Sequence, residues 1–227
     1  MSDIQLVVFD IAGTTVSDKG DVARAFIDAC KKHGYDVAVE EVNKVMGFRK
    51  KEAIKILLEK FDAEHEDLNE LIEKIHEAFL QNMISFYEND TDLQPLPYAQ
   101  ETFSILKQKG IRIALNTGFT KAITDTILKK LNWDTNDIID HVISSDEVPL
   151  GRPHPHMIRS IMDSLGIEEI KRVAKVGDTQ VDIQEGRNSG CGLVVSVTTG
   201  AYSRVELEKY DPDFIIDSLK ELPALIQ

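Results

Sequence analysis

The sequence predicts an α/β protein: a doubly wound parallel sheet with a helical cap inserted after its first strand. Three observations lead there. The chain opens on an almost unbroken apolar run, Ile4-Gln5-Leu6-Val7-Val8-Phe9, of the kind that forms a strand buried on both faces. From Asp21 to about Glu88 the apolar residues recur only at three- and four-residue spacings, which is the period of helices. After Pro97, short apolar runs alternate with helical stretches, and that alternation builds a parallel sheet covered by helices.

Each element follows in turn. The first strand, Ile4–Phe9, leads into a polar, glycine-containing stretch from Asp10 to Gly20. In the helical region Val22, Phe26 and Ile27, then Ile54, Leu57 and Leu58, then Leu68, Leu71, Ile72, Ile75 and Phe79 mark successive apolar faces. Asn89 to Pro97 is polar with two prolines and reads as a connection. A helix from Tyr98 to Lys109 stops at Gly110. Strand-like runs follow at Ile111–Leu115, His141–Ser144, Val173–Val176, Leu193–Val197 and Asp213–Ile216. The expected organisation is a Rossmann-like core over residues 1–16 and 93–227. Residues 17–92 form the cap, with hinges near Val16–Gly20 and Asn89–Leu96.

Composition narrows the function. The 227 residues are 42% hydrophobic, enough for a sizeable core, and their 26 Lys and Arg against 39 Asp and Glu give a formal net charge of -13. So acidic a chain lacks the surplus cations that grip nucleic acid or an anionic membrane surface. A small anion can still be bound by a local cation cluster or a metal. No apolar run approaches the ~20 residues of a membrane helix. Met1-Ser2-Asp3-Ile4 has no secretory signature, so a cytoplasmic location is expected. Cys30 and Cys191, far apart and in no paired motif, read as free thiols in a reducing compartment.

Ligands in such sheets bind at the carboxyl ends of the strands, and the chemistry-bearing residues gather there. Asp10-Ile11-Ala12-Gly13-Thr14-Thr15 follows the first strand and Asn116-Thr117-Gly118-Phe119-Thr120 the second. Asp146-Glu147 and Gly151-Arg152-Pro153 follow the third, and Gly177-Asp178-Thr179-Gln180-Val181-Asp182 the fourth. A lone Asp after a strand is commonly a helix cap or turn residue, but four such ends in order form a site. Asp10 suits a carboxylate nucleophile. Thr117 can donate its hydroxyl to a phosphoryl oxygen, as can the Gly118 N–H opening the next helix. Arg152 can neutralise the phosphoryl charge, or stand as a surface Arg in a proline-containing loop. Asp182 fits either a supporting role at the site or a solvated helix face. His154 and His156 flank Pro155 and are expected to start the next helix rather than to bind metal.

This set resembles the haloacid dehalogenase superfamily of aspartate-nucleophile hydrolases, and within it the phosphonatase (phosphonoacetaldehyde hydrolase) branch. Asp10-Ile11-Ala12-Gly13-Thr14 matches that branch's DxAGT form, Gly151-Arg152-Pro153 its arginine motif, and Gly177-Asp178-Thr179 with Glu185-Gly186-Arg187-Asn188 its last motif. The resemblance implies Asp10 as nucleophile, Mg²⁺ held by Asp10, the Ala12 carbonyl and Asp178, and Asp182 in support. Gly13, Thr117, Gly118 and Met46 would line the substrate site. It also implies a small phosphonate or phosphate ester as substrate and a homodimer paired through its caps.

Ala12 can neither protonate a leaving alkoxide nor activate water, the work of the second carboxylate in DxD phosphatases. Cleavage of a C–P bond escapes that need if an amine first turns the neighbouring carbonyl into an imine. The cap segment Met46-Gly47-Phe48-Arg49-Lys50-Lys51 resembles that branch's Schiff-base segment and makes Lys50 the amine. A predicted helix start and the flanking cations Arg49 and Lys51 would depress its pKa. The same Arg-Lys-Lys run also fits a solvated face. Two positions depart from that branch: Ala53 replaces a histidine and Phe119 a tyrosine. The leading expectation is therefore a Mg²⁺-dependent phosphonatase-type hydrolase. Behind it stand a phosphatase of another small metabolite, a haloacid dehalogenase, and a non-catalytic binding protein.

Overall fold

The first strand, β1 (Leu6–Phe9), is buried along its whole length in the computed structural model, which describes residues 3–61, 67–135 and 137–226. It feeds four helices: α1 (Asp21–Lys32), α2 (Val39–Lys44), α3 (Lys50–Glu59) and α4 (Leu68–Asn89). Then come α5 (Ala99–Gln108), β2 (Arg112–Thr117), α6 (Lys121–Lys130), β3 (His141–Ser144) and α7 (His156–Leu165). The chain closes with β4 (Val173–Gly177), α8 (Gln180–Ser189), β5 (Leu193–Val197), α9 (Arg204–Glu208), β6 (Phe214–Ile216) and α10 (Leu222–Leu225). The six strands form one all-parallel sheet in the order β3-β2-β1-β4-β5-β6.

Alternation along β1 shows why the sheet is covered on both sides. Leu6 and Val8 pack with Met157, Ile158 and Ile161 of α7 and Ile183 of α8. Val7 and Phe9 face the opposite layer, which includes Phe103 of α5 and Ile123 and Ile127 of α6. A side chain alternates faces every residue in a strand, so a strand apolar at every position belongs in the centre of a two-sided sheet. The strand boundaries differ from expectation by one or two residues. β1 and β6 start later than predicted, because Gln5 and Asp213 lie just outside the paired register. β2 and β4 extend further, to Thr117 and Gly177.

Between β1 and α5 the described residues contain helices and no strand, as the periodicity predicts. The helices α1 and α3 pack on the long helix α4, and α4 also lies against α6. Phe26 of α1 meets Phe79 of α4 with ring centroids 4.4 Å apart, in a core shared with Ile54, Leu57, Leu58 and Ile75. The two connections to this insertion run side by side: the Ser17 N–H donates to the Gln94 carbonyl (3.2 Å) and the Leu96 N–H to the Thr15 carbonyl (2.8 Å). Val16 forms an isolated bridge with Pro95 between them. Cys30 and Cys191 are buried free thiols. Among the described residues no helix is long and apolar enough to cross a membrane.

Candidate active site

Register sets the rim. Phe9 is level with Leu115 and with Val176, so Asp10 emerges beside the ends of β2 and β4, where the strand order reverses direction. There the sheet brings together Asp10, Thr117 and Asp178. The carboxylates of Asp10, Asp178 and Asp182 offer oxygens that all lie within 4.8 Å of one another, and all three residues are buried. Arg152 is buried too. Its Nη1 stands 2.8 Å from Asp10 Oδ1 and also bonds Asp182 Oδ1. The surface-loop alternative for Arg152 therefore falls, and so does the solvated alternative for Asp182.

Asp182 is fully engaged. Besides Arg152, its Oδ1 lies 3.0 Å from Lys175 Nζ, while Oδ2 accepts from Thr179 N (3.2 Å) and Thr179 Oγ1 (2.6 Å). Burial pushes its pKa up, but Arg152 and Lys175 more than offset that and hold it at about 2. Lys175 continues downward to Glu185 (3.3 Å) and to Asn116 Oδ1 (2.6 Å), and Asn116 Nδ2 donates to both Glu185 oxygens (2.9 Å each). Burial works against the charge of Arg152, yet Asp10, Asp182 and Glu185 outweigh it and keep the guanidinium a cation.

Asp178 is held differently. Thr14 Oγ1 donates to its Oδ1 and the Ala201 N–H to its Oδ2, each at 2.8 Å. Burial, then the charges of Asp10 and Asp182, push its pKa well above the carboxylate range. Burial also raises Asp10, against the pull of Arg152. Two buried acids strained in this way, with the donor-saturated Asp182 beside them, are what a hard divalent cation would relieve. The oxygen-only donor set of Asp10 and Asp178, with Ala12 lining the same cavity, fits Mg²⁺. Arg152 Nε is buried with no hydrogen-bond partner, a donor suited to an anionic oxygen.

A cavity of about 360 Å³ opens above these groups, walled by the rim on one side and by α1 to α3 on the other. Ala12, Gly13, Met46, Lys50, Thr117, Gly118 and Arg152 all line it. Lys50, the first residue of α3, is 3% exposed, so the solvated-face alternative falls. Of the flanking pair, Lys51 turns outward to Glu73 (2.6 Å), and Arg49 reaches the Pro149 carbonyl (3.1 Å). The Lys50 amine sits among three rings, 5.4 Å from the centroid of Phe26, 5.9 Å from Phe79 and 4.8 Å from Phe119, and forms no ion pair among the described residues. Burial and then the Arg152 charge lower its pKa to about 8. The repelling cation is thus Arg152 across the cavity, rather than Arg49 or Lys51 as the sequence suggested. Flanking residues on a helix point away from one another.

The insertion meets the rim through backbone. A Cβ on Gly118 would lie 2.5 Å from the Phe48 carbonyl oxygen and 2.6 Å from that of Gly47, an approach open only to glycine. Contrary to the expectation from sequence, Gly118 does not open a helix. Thr117 Oγ1 accepts from Phe119 N (3.1 Å), and α6 begins three residues after Gly118, with Thr120 as its cap. Asp146 and Glu147 cap loops, accepting from Lys121 N and Ser144 N (2.8 Å each), and stay out of the site. His156 does start α7, with the His154 ring 6.2 Å away. Sequence reasoning passed over Asp18 and Lys175, and read Phe26 and Phe79 only as helix faces and Phe119 only as a departure from the tyrosine. Only the charged Lys175 inside an apolar strand run gave a signal.

An all-parallel doubly wound sheet with three buried aspartates at its rim and a helical insertion after its first strand is the architecture of a Rossmann-like α/β hydrolase. The chain belongs to the haloacid dehalogenase-like hydrolases, whose family model matches residues 4–190. It is 30% identical to a phosphonoacetaldehyde hydrolase from Parabacteroides distasonis, over 100% of this chain and 97% of that one. A phosphonoacetaldehyde hydrolase from Bacillus cereus is 29% identical, over 92% of this chain and 83% of that one. A solved structure of a phosphonoacetaldehyde hydrolase-like protein from Oleispira antarctica shares the fold, with a TM-score of 0.83 at 21% identity, covering 99% of this chain and 92% of that one.

Proposed function

We propose that this chain is a Mg²⁺-dependent hydrolase that cleaves the C–P bond of a phosphonoacetaldehyde-type substrate, with residues 17–92 as a cap closing over a core of 1–16 and 93–227. One observation carries the reading: a buried Lys50 amine, with no ion pair among the described residues, shares a cavity with Asp10 and Arg152. With a pKa of about 8, about a tenth of it is free amine at pH 7, against roughly one part in three thousand for an ordinary lysine.

The Lys50 amine adds to the substrate aldehyde and expels water, leaving a protonated imine. The Asp10 carboxylate attacks phosphorus. The C–P bond breaks, and its electron pair flows into the imine to give an enamine. Water then attacks the phosphoryl group on Asp10 and releases phosphate, while protonation and hydrolysis of the enamine free the aldehyde and Lys50. Arg152 neutralises the phosphoryl oxygens, Thr117 and the Gly118 N–H orient them, Gly13 lines the same end of the cavity, and Met46 packs beside the reacting carbons. Asp10, Asp178 and the Ala12 carbonyl would hold Mg²⁺, which would supply positive charge to offset the phosphoryl group's negative charge. Asp182 anchors Arg152. Ala12 is tolerated because an enamine leaving group needs no proton from that position.

A second reading rests on Phe119, whose ring lies 4.8 Å from the amine, and on Ala53, buried one turn further along α3 with no polar group: a phosphatase of another small metabolite, with Lys50 as a plain cation. Phosphate release from phosphonoacetaldehyde with Mg²⁺ decides between them. Turnover lost in both Asp10→Ala and Lys50→Ala supports C–P cleavage. Inert phosphonoacetaldehyde beside Asp10-dependent hydrolysis of acetyl phosphate supports the phosphatase.

A further inference from the structure

Imine chemistry needs a proton carrier, and the cavity offers few. Its described lining contains no histidine, cysteine or tyrosine. The ionisable side chains there are Asp10, Asp18, Arg24, Lys50, Arg152 and Asp178. The two arginines do not give up protons at working pH. Asp10 and Asp178 belong to the phosphoryl end, and Asp10 is paired with Arg152. That leaves Asp18 as the one acid able to serve Lys50.

Asp18 is built into place. It sits where the chain enters the insertion, half-buried, with Oδ1 accepting from Asp21 N (2.7 Å) and Val22 N (3.4 Å) at the start of α1. That capping bond fixes the carboxyl, and no cation is paired with it among the described residues, since Arg24 is taken by Asp21. We infer that Asp18 is the general acid–base for imine formation on Lys50, a role that rests on the C–P cleavage reading above.

The steps balance. As the Lys50 amine adds to the carbonyl carbon, the Asp18 carboxyl gives its proton to the forming alkoxide. The resulting carboxylate takes back a proton from the new ammonium nitrogen. The carboxyl then protonates the carbinolamine hydroxyl, which leaves as water while the nitrogen lone pair closes the C=N bond. The final state sets an Asp18 carboxylate near the iminium cation. The groups facing Asp18 suit this cycle. Burial raises its pKa and outweighs the Asp21 and Val22 N–H bonds that pull it down, with a smaller rise from the Asp21 charge; Lys50 of α3 feels its charge, and Tyr87 of α4 is held far above its ordinary pKa and cannot compete as a base.

The test is borohydride trapping of Lys50, read by intact mass, with phosphonoacetaldehyde and with acetaldehyde as probes, across pH 5 to 9. Asp18→Asn and Asp18→Ala should trap about 10²-fold more slowly, the usual scale of a lost acid–base group. Asp18→Glu should stay within tenfold of wild type, and added formate should raise the Asp18→Ala rate. Wild type should lose trapping rate as Asp18 ionises, a limb missing in Asp18→Asn. Trapping within threefold of wild type in Asp18→Asn and Asp18→Ala would overturn the inference. So would an Asp18→Ala loss that formate leaves untouched while the melting temperature falls, since Asp18 would then be a helix cap. No trapping in wild type would instead remove the Lys50 imine itself, and this role with it.

Discussion

Replacing Gly118 with alanine tests whether the docked insertion completes the site. The added Cβ would stand 2.5 Å from the Phe48 carbonyl oxygen, where ordinary contacts start at 3.4 Å, a shortfall of about 0.9 Å. Neither partner is the end of a flexible side chain, so the Gly47–Phe48 turn must retreat by that amount. The turn lies three residues before Lys50, and misplacement by ~1 Å costs on the order of 10²-fold in a well-oriented reaction, or about 2.7 kcal/mol of barrier. Gly118 is not at a positive φ, so the core should fold with little change. The assay pairs kcat/KM for phosphonoacetaldehyde with thermal unfolding. The expected result is a ~10²-fold fall in kcat/KM with a melting temperature within a few degrees of wild type. An activity within threefold of wild type would refute the argument that the insertion must approach this closely.

Three further outcomes follow from the buried charges. Unfolded Lys50 titrates near 10.5 and folded Lys50 near 8. Between those values the native state has released a proton that the unfolded state keeps, so stability rises with pH there. Lys50→Met should therefore be the more stable protein below pH 8, by up to about 3 kcal/mol, with the gap closing towards pH 10.5 in denaturant titrations. Lys175→Met leaves Glu185 and Asp182 short of a partner in the interior and should cost about 3–5 kcal/mol of unfolding free energy. A matched double variant with Glu185→Gln should recover part of that loss. Saturating Mg²⁺ should raise the melting temperature of wild type, equivalent to about 2.7 kcal/mol at a hundred times Kd, and Asp178→Asn should show little of that shift in the same scan.

The sheet was legible because its signal is local: a two-faced strand such as β1 must be apolar at every position, and strand ends in a parallel sheet converge on one rim. Asp10, Thr117, Arg152 and Asp178 could be found on that basis. What could not be read is what depends on contacts between elements distant in sequence. Lys50 in an Arg-Lys-Lys run looks solvated until Phe26, Phe79 and Phe119, from two other helices and a core loop, surround it. Asp18 looks like a helix cap, which it is, and only the folded cavity gives it a second surrounding. Lys175 is a charge in an apolar run that the sequence reading passed over, and its partners Asp182, Glu185 and Asn116 meet it from α8 and β2. Gly118 was misplaced by a few residues because the Thr117–Phe119 turn delays α6.

The two chain crossings between sheet and insertion, stitched by Ser17 to Gln94 and Leu96 to Thr15, amount to a single stalk. A segment attached by one stalk behaves as a graft: its length, helix number and lining can change while every strand register behind Asp10 stays as it was. Asp10 sits on one side of that stalk and Lys50 on the other. On the proposed C–P cleavage, selection would then retune which carbonyl compounds are recognised by working on the graft alone, leaving the phosphoryl-handling root stock intact.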